Sequence, residues 1–161
     1  MPRRPTAQEL ETLATAITRQ QLTLQKQLAV VKRQLQYALT EICTAKAELH
    51  EAQQRLNEIE AYLEDVEDEV DELRASHGED SDVFEQKQDE FDELLEERED
   101  ELGLIEQLES VHALRASVAA HLRRMHVHLT RELARSKHRE QLLAMIALRS
   151  GSVRLTPRKL Q

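Results

Sequence analysis

The chain has 161 residues and 33% of them are charged, with a formal net charge of −9, three Gly, three Pro, two Phe, two Tyr and no Trp. So few aromatic and turn-forming residues exclude an ordinary globular core, while 40% hydrophobic residues set at helical spacing exclude disorder. The single cysteine, Cys43, allows no intrachain disulfide, and no apolar run approaches the eighteen residues of a membrane span. These features, with an N-terminus lacking the apolar run of a secretion signal, lead us to expect an intracellular protein, cytoplasmic or cytoskeleton-associated.

Residues 1–6 form a short basic arm, and Thr6-Ala7-Gln8-Glu9 after Pro5 has the form of a capping box that starts a helix near Ala7. From Leu10 to Leu73 one heptad register then runs without interruption. Its d positions are Leu10, Ile17, Leu24, Val31, Ala38, Ala45, Ala52, Ile59, Val66 and Leu73. Its a positions are Ala14, Gln21, Leu28, Leu35, Ile42, Leu49, Leu56, Leu63 and Val70, so Gln21 is the one polar member. The first helix is expected over 7–75, and Gly78 can take the left-handed conformation that closes it. Ser81 or Asp82 can cap a second helix over 82–149, which Ser150-Gly151 and Pro157 stop, leaving a flexible basic tail over 150–161.

A short connection between two long helices predicts an all-α, antiparallel coiled-coil hairpin, one structure spanning 7–149. Pairing positions whose numbers add to roughly 157 tests the idea. Leu73 then meets Phe84, Val66 meets Phe91, Leu63 meets Leu95, Leu56 meets Leu102 and Ala45 meets Val111. Farther along, Ala38 meets Val118, Val31 meets Met125 and Leu10 meets Ile146, while Gln21 falls opposite Ser136, a polar pair able to fix the register. The second helix reads as less regular. Arg98 and Arg115 stand at seam positions, and the heptad count slips by one residue between Leu102 and Leu108, next to Gly103, where a bend is expected. A parallel homodimeric tether is the alternative arrangement of the same first helix.

Charge is distributed unevenly. Residues 58–101 hold 22 acidic residues against three basic ones, whereas 1–57 and 102–161 are each net positive. A hairpin gathers the acids at its tip, where Glu64, Asp65, Glu67, Asp68, Asp71, Asp89, Glu90, Asp92 and Glu93 are candidates for contacting a basic protein surface. Like charges on neighbouring turns oppose helix folding by a few tenths of a kcal/mol per pair, about as much as opposite charges favour it. At the base, Leu13, Leu22, Val30 and Leu39 on the first helix lie off the seam, as do Leu114, Val127, Leu142 and Leu148 on the second. An apolar stripe wider than a two-helix seam calls for further helices, from a second copy or from partner proteins.

The chemistry of enzymes is missing from the motifs. None of the seven His are three or four residues apart, the spacing that brings two imidazoles to one ion on a helix, and there is no calcium-hand loop, phosphate loop or nucleophile elbow. We therefore expect no catalytic residue, metal or cofactor. The basic end lacks zinc-finger spacing and aromatic stacking platforms, so specific nucleic-acid binding is not expected. Arg3-Arg4-Pro5-Thr6 and Thr156-Pro157-Arg158-Lys159 have the form of phosphorylation motifs.

The two arms, with Asp82-Val83-Phe84 leading into an acidic helix, resemble the long helical arms of prefoldin subunits. That resemblance implies a chaperone-type binder of basic client proteins. It covers the helices alone, because prefoldins place one or two β-hairpins between their arms and about six residues stand here. The leading expectation is a non-catalytic structural or adaptor subunit of a multi-protein assembly, its base packed among other helices and its acidic tip on a basic partner.

Overall fold

A computed structural model describes residues 3–151, and the expected basic tail, with Thr156, lies outside them apart from Ser150 and Gly151. Two helices make up the fold: α1, Ala7–His77, and α2, Asp82–Arg149, packed against each other as an all-α hairpin. The start of α1 is the reciprocal cap read from the sequence. The Thr6 amide donates to Glu9 Oε2 at 2.7 Å and the Glu9 amide donates to Thr6 Oγ1 at 3.2 Å. The helix runs two residues beyond the expected Ala75, and Gly78 then turns the chain at φ +78°. Of the two candidate caps for α2, Ser81 is the one used, its Oγ accepting the Phe84 amide at 3.1 Å. Gly151, at φ +72°, follows the end of α2.

All nineteen heptad positions of α1 are buried or half-buried. The side chains of α2 reproduce that register by reflection through the turn. Each seam position of α2 has a counterpart in α1 such that the two numbers add to 157. The resulting seam of α2 steps by three and four residues from Phe84 to Ala147 without a slip. It passes through Phe91, Leu94, Arg98, Glu101, Ile105 and Leu108, then His112, Arg115, Ala119, Leu122, His126 and Leu129, all buried or half-buried.

This corrects the expected slip. Gly103 is exposed and lies inside an unbroken helix. Leu102, Val111, Val118, Met125 and Ile146, expected to face α1, are exposed. Ala119 replaces Val118 in the seam and Ala147 replaces Ile146, while Leu94 is buried with Leu95 half-buried beside it. The physical reason is a conflict between polarity and period. Apolar residues flank polar seam residues at 111–112 and 125–126, and following the apolar ones shifts the count by one.

The hairpin comprises two compact units, residues 39–117 and residues 3–38 with 118–151. In the first, which contains the turn, Leu63, Val66, Val70, Phe84 and Leu94 form the buried cluster, with Ile59, Leu73, Phe91 and Leu95 packed against it. In the second, which contains the chain ends, Leu10, Leu143 and Ala147 are buried together, with Ala14 and Ile17 against them.

Candidate interaction surfaces

The turn-containing unit places charge inside its seam and neutralises it from the facing helix. Arg98 Nε lies 3.3 Å from Glu60 Oε1, and Arg55 reaches Glu101 Oε1 through its Nη2 at 3.0 Å. Arg115 contacts Glu41 twice, pairing with its carboxylate at 3.2 Å and donating to its backbone carbonyl at 3.2 Å. Arginine suits these places because its long apolar stem fills the seam while its head reaches the rim. Closer to the turn, Lys87 occupies a seam position and bridges Glu69 at 2.6 Å and Glu90 at 2.7 Å. The Tyr62 hydroxyl donates to the same Glu90 at 2.5 Å.

These bonds shift the titrating groups. The hydrogen bonds that Lys87 donates to Glu69 and then to Glu90 push its ammonium well above its usual range. Lys87, then Tyr62, hold the Glu90 carboxyl below the usual carboxylate range, and the bond to Glu90 raises the Tyr62 phenol. Arg74 pairs with Asp71 and Glu79, both at 3.2 Å, and stands 5.6 Å from the centre of the Phe84 ring.

All three basic residues between 58 and 101 are thus engaged within the chain. The nine predicted tip acids divide accordingly. Asp71 and Glu90 are tied to Arg74 and Lys87, whereas Glu64, Asp65, Glu67, Asp68, Asp89, Asp92 and Glu93 are exposed and in no ion pair among the described residues. Asp92 accepts a hydrogen bond from Gln88 at 3.1 Å. The apolar surface of this arm is small, since Tyr62 and Val83 are its only exposed large hydrophobic residues between 58 and 101.

The unit at the chain ends has the opposite character. Leu13, Leu22, Val30, Val127, Leu142 and Leu148 are all exposed, as are Leu39 and Leu114 in the other unit. A shallow groove of about 440 Å³ runs between Val30 and Val31 on α1 and Met125 and Leu129 on α2. Met125, on its α2 side, reads from the sequence as a seam residue, and only a strict seven-residue reflection of the α1 register places it on the flank.

The predicted polar pair is also revised. Gln21 and Ser136 stand at reflected seam positions, but Gln21 Nε2 donates to Glu140 Oε2 at 2.9 Å, one turn farther along α2. Ser136 Oγ is buried and has no hydrogen-bond partner among the described residues. Among the described residues no group of His, Cys, Asp and Glu could hold a metal ion, and no helix is long and apolar enough to cross a membrane.

No family model, curated protein or solved structure matches this chain. A functional reading therefore rests on these two surfaces.

Proposed function

We propose that the protein is a non-catalytic structural or adaptor coiled-coil subunit of an intracellular assembly. The observation that carries this reading is the exposure of large aliphatic side chains flanking the seam of the unit at the chain ends, from Leu13 and Leu22 to Leu142 and Leu148. A two-helix coiled coil needs only its seam to be apolar, so side chains of this size on both flanks favour packing with further helices. The seven unpaired tip acids support the second half of the reading, a contact with a basic protein surface.

Affinity isolation of the full chain with mass-spectrometric identification of what accompanies it tests the proposal. Changing Leu13, Leu22 and Leu142 to Gln should release helical partners, and changing Glu64, Asp65, Glu67 and Asp68 to their amides should release basic ones. Association unchanged by both sets would defeat the reading. The density of unpaired acid also favours a second reading, a chaperone-type binder of basic clients. In that case the amide variant alone should abolish suppression of client aggregation.

A further inference from the structure

On α2 the register that buries Leu122 and Leu129 leaves Val118 and Met125 one position short of the seam, exposed on one flank. The groove between Met125 and Val30 shows that this flank adjoins the one on α1 that carries Leu13, Val30 and Tyr37. Together they make one face, 52% exposed at Val30 and 69% at Tyr37. The apolar stripe is too wide for the hairpin to cover alone, and two more helices would complete a four-helix bundle.

What should cover the face follows from its polar residues. From Leu13 to Tyr37 the two outer heptad positions of α1 on this flank carry Leu, Ala, Gln, Thr, Val and Tyr, and no charge. The nearby charges Arg19, Lys32 and Arg33 sit at other heptad positions, and Lys26, beside Gln27, is the one charged residue that lines the groove. On α2 the flank continues with His121 and His128, Glu132 neutralises Arg135 at 2.6 Å, and Arg139 is the flank's one charge in no ion pair among the described residues. In a chain with one residue in three charged, this matters most to an identical partner. Across a two-fold axis a densely charged patch meets its own sign, whereas a face with so few charges largely avoids this. Gln20, Gln27 and Gln34 recur every seven residues along the face. A primary amide both donates and accepts, so such a row can satisfy a copy of itself.

We propose that this face docks a second copy of the chain through an isologous two-fold interface, with the Gln20, Gln27 and Gln34 rows beside the apolar groove. The inference rests on the reading of the chain-end unit as an assembly surface and names its partner.

The test is light scattering on the full chain with a charge exchange at the three glutamines, all of them exposed. The wild type should show twice the 18.6 kDa chain mass. One variant carries Gln20→Lys, Gln27→Lys and Gln34→Lys, the other Glu at the same places. Each should remain helical by circular dichroism and self-associate about tenfold or more weakly, because like charges then face each other. Mixing the two should restore a one-to-one dimer whatever the register of the rows.

A monomeric wild type, variants that dimerise as tightly as the wild type, or a mixture that stays monomeric each overturns the proposal. Such failure is separable from failure of the structural-subunit reading. A monomer that still loses a foreign partner on Leu22→Gln, on the opposite flank, defeats self-docking alone.

Discussion

Gln21 Nε2 donates to Glu140 Oε2 at 2.9 Å, passing over Ser136, which stands at the reflected seam position. The amide reaches out to the exposed carboxylate and the serine hydroxyl stays behind, 1% exposed and without a partner. An unsatisfied buried hydroxyl costs about 1–3 kcal/mol of desolvation. Ser136→Ala removes that group with almost no change of volume, so it should stabilise the protein by about 1 kcal/mol. Chemical denaturation should show a higher midpoint at unchanged slope, and a lower midpoint would show that the hydroxyl is satisfied in solution.

Gly103 supplies a second stabilising site. It lies inside α2, is exposed, and a Cβ built on it meets no atom within 4 Å. Glycine inside a helix is disfavoured against alanine by about 1 kcal/mol, through the greater freedom of the unfolded chain. Gly103→Ala should therefore raise the thermal midpoint by a few degrees' worth of about 1 kcal/mol, measured by circular dichroism. A fall would mean that the helix relies on a bend at this point.

The contrast between the two helices explains what could be read in advance. In α1 the period and the polarity agree, so its register and cap were legible, while its end fell two residues short of the observed one. In α2 the seam carries Arg98, Glu101, His112, Arg115 and His126, and a reading that follows apolar residues is drawn onto Leu102, Val111 and Met125 instead. Whether a charged residue can occupy a seam depends on a partner from the other helix, such as Glu60 for Arg98, and that pairing is a three-dimensional fact. The off-seam aliphatics were recognisable singly. That Val30 and Met125 line one groove required the register to be known first.

Arg115 tests how far charge in the seam serves register rather than stability. Its side chain is 32% exposed, as is that of Glu41, so the pair is partly screened by solvent and partly desolvated. Replacement of such pairs by apolar residues is often neutral or stabilising, by about 1–4 kcal/mol when burial is complete. Arg115→Leu should raise stability by about 1 kcal/mol, near the lower end of that range because burial is partial. Arg115→Ala, which removes both the pair and the packing of the stem, should lower it. The two midpoints in urea decide, and a loss on both changes would assign the ion pair a net stabilising role.

The Glu90 cluster predicts a pH dependence of defined sign. Its carboxyl is held below the unfolded range of about 4.3 by Lys87 and Tyr62, so the charged form favours folding. That contribution is present above the unfolded value and disappears as pH falls through the lower folded one. The wild type should accordingly be more stable than Glu90→Gln at neutral pH, and the gap should close as the solution is made strongly acidic. Lys87, shifted upward, keeps its charge throughout this window and does not reverse the sign. A gap that persists in acid would mean that Glu90 acts through packing rather than charge.

Salt should act differently on the two units. Between 58 and 101 the three basic residues are already paired, and most of the 22 acids have no counter-ion among the described residues. Added salt weakens the ion pairs and the acid–acid repulsion together, but the unpaired acids outnumber the pairs, so relief of repulsion dominates. Raising ionic strength from about 0.01 M to about 0.1 M shortens the screening distance from about 30 Å to about 10 Å, which spans several helical turns of like charge. Hydrogen exchange should then slow at the seam amides around Val66, Val70 and Phe91, while those around Leu10 and Leu143 change less. Faster exchange near the turn would show that the Lys87, Arg74 and Arg98 bridges, rather than the repulsion around them, set the stability of this end.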